Sequence, residues 1–287
     1  MKQVLFLVSE WGYWGEELIG PLEACEKAGY KIEFVTPTGD KPTALTVSMD
    51  PSYVDPPLGR AVTTPEMAEK VRTFDRSGRM DSPRSLKAWV PQRPYPSSPK
   101  YLREMEAYYK KVDAIVADEL PKYDALVIVG GSGAMVDLAN NERVHELIQG
   151  FVKLDKPVAA ECYGVACLAF ARDFREKVSL IKGRHVTGHP IDYDYLDGTG
   201  FEGPHAMDGS KKGFGDGWIN FGTPFYPLEY ILRDAVGTEG QFIGNVGHET
   251  SVLVDFPFIT SRSTASSREC GRLLVEVLEN GVRRHGW

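Results

Sequence analysis

Two rhythms of apolar and polar positions alternate along this chain. Val4 to Val8 is an unbroken apolar run, as expected of a strand covered on both faces. From Glu16 to Ala28 the apolar residues fall at Leu18, Ile19, Leu22, Ala24 and Cys25, a helical spacing that Gly29 closes. Lys31 to Thr36 (KIEFVT) alternates like a second strand. This opening predicts a parallel strand pair joined by a right-handed crossover.

The same alternation returns further on. Tyr101 to Asp118 has the spacing of a helix, and Ala125 to Val129 is a buried strand that runs into Gly130-Gly131-Ser132-Gly133. Val144 to Leu154 reads as a helix and Pro157 to Ala160 as a short strand, with a helix beginning at Gly164. RHVTG after Gly183 is strand-like, and Leu228 to Val236 is a short helix. Ser251 to Asp255 and Phe258 to Ser261 form a strand pair around Pro257, and Arg268 to Leu278 is an amphipathic last helix. Two stretches lack either rhythm. Thr38 to Ser98 is rich in Pro, Ser, Asp and Arg, and Asp194 to Asn220 is rich in Gly and Asp. The expected architecture is one α/β domain over residues 1–287, a doubly wound, mostly parallel sheet flanked by helices. It carries two insertions, at about residues 38–100 and 194–250. Ligands of such sheets bind beyond the carboxyl ends of the strands.

Composition narrows the function. The 287 residues are 42% hydrophobic and 25% charged, with a formal net charge of -7. That argues against a general nucleic-acid binder, which needs a basic face, although it leaves room for a local basic patch. The five apolar residues near the N-terminus are too few for a signal-peptide core or a membrane span. The four cysteines show no C-x-x-C spacing, so a reduced, cytoplasmic setting without a membrane partner is expected.

One cysteine stands at a chemically suggestive place. In PVAAECYGVACLAF the strand gives way to a helix at Cys162. A residue at such a corner is presented at the top of the sheet, as in a nucleophile elbow. The start of a helix favours an anion, so the thiol is expected to ionise more easily there. The competing reading is a cysteine used as a small buried hydrophobe, which is the better one for Cys25, Cys167 and Cys270.

Four segments in this order resemble the ThiJ/PfpI superfamily, nearest to its larger glyoxalase III and heat-shock chaperone branch. They are GYWGEELIGPLEACEKAGYKIEFVTPTGDKP, YDALVIVGGSGAMVDLANN, PVAAECYGVACLAFA and FITSRSTASSRECGRLLVEVLENG. The resemblance implies a flavodoxin-like, class I glutamine amidotransferase-like fold; some members of the branch carry a two-histidine, one-carboxylate metal site, but its ligands cannot be placed in this sequence, and no cofactor or metal is expected. It implies Cys162 as nucleophile, Glu17 as a protonated carboxyl at the sulfur, and Gly131 and Tyr163 as backbone donors of an oxyanion hole. A homodimer is implied as well. The branch has His directly after the nucleophile, where this chain has Tyr163. A base must then come from elsewhere, and His189 in HVTGHP matches a histidine of the smaller deglycase-like members. His205, His248 and His185 are further candidates, while His145 and His285 read as solvated. Glu161, before the cysteine, would add a second carboxylate if it reached the pocket, or form an ion pair if it did not.

The function these residues imply is that of a cofactor-independent cysteine enzyme acting on a small electrophilic carbonyl or related compound. Lyase, hydratase and hydrolase versions remain open, as do two alternatives, a stress chaperone and a redox sensor based on Cys162.

Overall fold

The computed structural model describes residues 1–55, 57–94, 97, 99–173, 176–194 and 227–287. Strand β1 (Gln3–Leu7) leads into helix α1 (Gly15–Lys27) and strand β2 (Lys31–Thr36), as the opening pattern predicts. A hairpin follows, made of β3 (Val54–Asp55) and β4 (Arg60–Ala61). Helix α2 (Pro65–Asp75) begins where Pro65 has no N–H to lose and where the Thr64 hydroxyl accepts from the Met67 N–H at 3.1 Å, an N-capping arrangement. Then come β5 (Arg84–Ser85), α3 (Leu86–Trp89), α4 (Tyr101–Ala114), β6 (Ala125–Ile128), α5 (Gly133–Asp137), α6 (Glu142–Lys153), β7 (Val158–Glu161) and α7 (Ala166–Phe170). The last part holds β8 (His185–Val186), α8 (Leu228–Val236), β9 (Gln241–Phe242), β10 (Val252–Asp255), β11 (Phe258–Ser261), α9 (Ser267–Asn280) and β12 (Arg284–His285).

Among the described residues the main sheet has the order β12-β10-β11-β7-β6-β1-β2-β5. From β11 to β5 every neighbouring pair is parallel, and β10 and β12 add an antiparallel edge. Period-two alternation divides the core between the two faces. Val4, Phe6 and Val8 join Leu18, Leu22, Leu273 and Leu274 beneath α1 and α9. Leu5 and Leu7 join Leu147, Phe151 and Leu232 under α6 and α8. The chain order reverses between β1 and β6. The crevice at their carboxyl ends is therefore the switch point of a doubly wound sheet. The expected mostly parallel α/β sheet is the one observed.

Three local expectations need correction. The stretch from Thr38 to Ser98 is not wholly irregular, because α2 buries Met67, Ala68, Val71 and Phe74 and β5 pairs with β2 at the sheet edge. The helix expected to reach Asp118 ends as α-helix at Ala114 and continues as a wider turn, Ile115–Glu119. The strand at RHVTG pairs with β9 and not with the main sheet. Among the described residues, no helix is long and apolar enough to cross a membrane.

Candidate active site

The carboxyl ends of β1, β6, β7 and β11 surround a cavity of about 250 Å³. Cys162 lies at its base, directly after β7, with φ of +49°. A side chain in this left-handed region costs about 1–2 kcal/mol, and such strain collects where a site over-determines the backbone. The turn Cys162–Val165 and then α7 carry the chain away beneath the pocket. Opposite, Gly131 has φ of +103°, and a Cβ there would stand 2.5 Å from the Trp14 nitrogen. Only glycine lets this loop come so near, and its N–H then reaches the sulfur. The backbone N–H groups of Gly131 and Tyr163 both hydrogen-bond to Cys162.

A chain of side chains leads away from the sulfur. Cys162 Sγ is 3.5 Å from His189 Nδ1, and His189 Nε2 is 3.2 Å from Asp194 Oδ1. An imidazole that donates from Nε2 to Asp194 presents the Nδ1 lone pair to the thiol, the tautomer a base requires. The Tyr163 hydroxyl donates to the same Asp194 oxygen at 2.5 Å. Its ring stacks on His189 with centroids 4.6 Å apart and planes at 27°. Tyr193 meets the other edge of His189 at 5.9 Å.

Glu17 approaches from α1. It is 1% exposed and lies so close to Gly130 that a Cβ on that glycine would be 2.1 Å from Oε2. Burial, then the charge of Glu161, pushes the Glu17 carboxyl well above the carboxylate range, although its hydrogen bond with Cys162 pulls the other way. Burial, then the charge of Glu17, also pushes the Cys162 thiol up, while the two N–H groups pull it down. Protonating Glu17 relieves the repulsion, and the thiol keeps its own proton until a base takes it. The sulfur has two N–H donors, whereas Glu17 Oε2 has no hydrogen-bond partner. A proton therefore belongs on Glu17, and once it is there the charge raising the thiol is gone. The expectation of a thiol simply depressed by a helix start is corrected, because burial acts first and the carboxyl decides the outcome.

Glu161 lies elsewhere. Along β7 it shares the face of Ala159, toward α1 and α9, and it does not line the cavity. It accepts from the Ser261 hydroxyl at 3.2 Å, in register across β7 and β11, and no cation pairs with it among the described residues. Burial raises its carboxyl to about 8. Neither a pocket carboxylate nor an ion pair describes it, since strand alternation turns it into the layer behind the sulfur. Its own layer also holds Cys270 and Ser267.

Other expectations sort themselves by position. His248 is exposed and absent from the cavity, and its carbonyl accepts from Arg262 at 2.7 Å. His205 lies outside the described residues. His185 stacks on Trp287 with centroids 3.6 Å apart. His145 is half-buried, with Nε2 at 2.7 Å from the Ala139 carbonyl, so it is not solvated. Glu16 lines the cavity beside Glu17 and accepts from the Thr264 hydroxyl at 3.0 Å. Cys25, Cys167 and Cys270 are buried in the core.

Sequence reasoning missed two things. In the sequence Asp194 only opens an irregular stretch, although two acidic residues follow His189 in HPIDYD. The hairpin β3–β4, inside the first insertion, supplies a wall of the cavity through Asp55, Leu58 and Arg60. Among the described residues no group of three or more His, Cys, Asp or Glu side chains is arranged to hold a metal ion.

Known proteins share this arrangement of chain. A family profile described as ThiJ/PfpI family-like matches residues 8–179. The chain is 26% identical over 185 residues to the protein/nucleic acid deglycase HchA of Staphylococcus aureus, a match covering 63% of this chain and 56% of that protein. It thus spans little more than half the length of the curated relatives it matches. Glyoxalase III from Candida albicans has a similar fold, with a TM-score of 0.59 at 18% identity over 97% of this chain and 98% of that one. So has a ThiJ/PfpI domain protein from Brachyspira murdochii, with a TM-score of 0.53 at 16% identity over 98% and 97%.

Proposed function

The chain belongs to the ThiJ/PfpI superfamily, and from that premise we propose that it is a cofactor-independent cysteine enzyme acting on small electrophilic carbonyl compounds. The observation that carries this reading is a strained cysteine, at φ of +49°, whose sulfur faces His189 Nδ1 at 3.5 Å inside a cavity. In this reading His189 takes the thiol proton and Asp194 steadies the imidazolium that forms. The sulfur adds to the carbonyl carbon, and the π electrons move to oxygen. The N–H groups of Gly131 and Tyr163, which already converge at the sulfur, are placed to stabilise that oxyanion.

For a 2-oxoaldehyde the adduct is a hemithioacetal. Glu17, entering protonated, is the group to return a proton to oxygen and to carry one from the former aldehyde carbon to its neighbour. The product is a thioester of the 2-hydroxy acid. Water then cleaves the carbon–sulfur bond and restores the thiol, with no net oxidation or reduction. The likeness in fold to a glyoxalase III is consistent with this version. A hydratase or hydrolase version would begin with the same addition. The homodimer implied by the family resemblance belongs to this proposal too, and sedimentation equilibrium tests it.

The enzyme reading is tested by incubating the protein and Cys162→Ala with methylglyoxal, following dicarbonyl loss and hydroxy acid formation. The expected result is turnover by the native chain alone. In parallel, both proteins are added to an aggregating client. If aggregation is suppressed equally by both proteins and neither turns over the dicarbonyl, the holdase alternative replaces the enzyme reading.

A further inference from the structure

Charge is unevenly placed around the cavity. The hairpin β3–β4 sets Asp55 and Arg60 directly opposite each other, yet no ion pair joins them. Among the described residues the Arg60 guanidinium has no ion-pair or hydrogen-bond partner, and it is the one Lys or Arg lining the cavity. Three acidic side chains share the lining with it, Glu16, Glu17 and Asp55. Glu17, Glu16 and Asp55 are all raised, each by burial first.

A second cation strengthens the asymmetry. Arg262 is 1% exposed, and its guanidinium lies 5.4 Å from the centroid of the Tyr193 ring, which lines the cavity. It donates to the carbonyls of Gly244, Asn245, His248 and Glu249, and among the described residues no carboxylate pairs with it. Asp55 feels the charge of Arg60, but among the described residues no carboxylate ion-pairs with either arginine, and a guanidinium that lines the same cavity as Cys162 favours anions. A guanidinium matches a carboxylate in particular, because its fork fits two oxygens. Trp14, Leu58 and Val62 give the wall an apolar part, beside the hydroxyl groups of Thr63, Thr64 and Ser263.

We propose that the substrate is a small electrophile bearing a carboxylate, which Arg60 binds while the electrophilic carbon meets Cys162. This rests on the nucleophilic reading of Cys162 and adds a substrate class to it. The compounds in question are short oxo acids and related acids with one reactive carbon and a small apolar body. A cavity of about 250 Å³ suits that size.

Two alkylating reagents of nearly equal size isolate the charge. Iodoacetate and iodoacetamide both form a carbon–sulfur bond at Cys162, break the carbon–iodine bond and release iodide, with the thiol proton passing to His189. The readout is the ratio of their rates at Cys162, iodoacetate over iodoacetamide, compared with the same ratio for free cysteine. The native chain is expected to exceed free cysteine by about fivefold, and Arg60→Gln to remove most of that excess. Arg60→Lys should keep part of it, and added salt should lower it in the native chain. Because each variant supplies its own iodoacetamide rate, a general loss of reactivity cancels. A native ratio equal to that of free cysteine, or a ratio unmoved by Arg60→Gln, overturns the anion site while leaving the nucleophile. Failure of both reagents to label Cys162 overturns the nucleophile and the anion site with it.

Discussion

The Tyr163 ring lies stacked on the His189 imidazole, centroids 4.6 Å apart. The residue that follows the proposed nucleophile thus holds the proposed base. Tyr163 has a second hold through Asp194, which its hydroxyl shares with His189 Nε2. This explains how a chain without histidine next to the cysteine can still present one: the base arrives 27 positions later, and the tyrosine fixes it.

This arrangement grades the effects of substitution. His189→Gln is expected to slow iodoacetamide labelling of Cys162 near neutral pH by about a hundredfold, the usual scale of a lost general base. Tyr163→Phe keeps the stack and both backbone roles, so its loss should be only a few-fold, while Tyr163→Ala should approach His189→Gln. Stopped labelling with peptide mapping reads all three. Equal rates for Phe and Ala at position 163 would show that the stack does nothing.

Strain at Cys162 has its own signature. Exchanging alanine for glycine normally destabilises a protein, since glycine has more freedom to lose on folding. At φ of +49° the order should reverse, with Cys162→Gly more stable than Cys162→Ala by about 1 kcal/mol. Urea unfolding of the two variants measures this. A more stable alanine variant would mean the corner is relaxed.

Glu161 makes stability depend on pH. Burial lifts its carboxyl from the ordinary 4.5 to about 8. Between these values the folded chain keeps a proton that the unfolded chain has lost, so the native state weakens as pH rises through the window. The loss is nil below it, complete above it, and about 1.4 kcal/mol per pH unit within it. Glu161→Gln cannot ionise and escapes this loss. Its stability relative to the native chain should therefore climb from pH 5 to pH 8. A constant difference across that range would contradict a protonated Glu161.

Glu17 separates reactivity from turnover. Glu17→Gln keeps the shape of the protonated carboxyl and a donor toward the sulfur, but it cannot carry a proton. Labelling of Cys162 should stay within a few-fold of native, while dicarbonyl turnover should fall at least about a hundredfold. Parallel losses in both assays would assign Glu17 a structural role.

Much of the frame was legible in the sequence because burial on two faces writes itself as apolar runs. Val4–Val8, Ala125–Val129 and the Phe258–Ser261 pair all read as strands, and Leu228–Val236 matches its helix end to end. The five residues that the sequence and its family resemblance single out, Cys162, Glu17, Gly131, Tyr163 and His189, line one cavity. Other features left no periodic trace. The strands of the β3–β4 hairpin have two residues each, too short to show alternation. Asp194 reaches His189 only through tertiary folding. The ionisation of Cys162 departs from the sequence expectation for a related reason: a short turn and the five-residue α7 offer little dipole, whereas burial and a neighbouring carboxyl are invisible in a linear pattern.

The most direct test of the central claim is limited labelling of the folded chain with iodoacetamide near neutral pH, followed by intact mass and peptide mapping. The account predicts a single adduct, at Cys162, formed faster than on free cysteine, with Cys25, Cys167 and Cys270 untouched. An unlabelled Cys162, or one that reacts no faster than in the urea-unfolded chain, would contradict it.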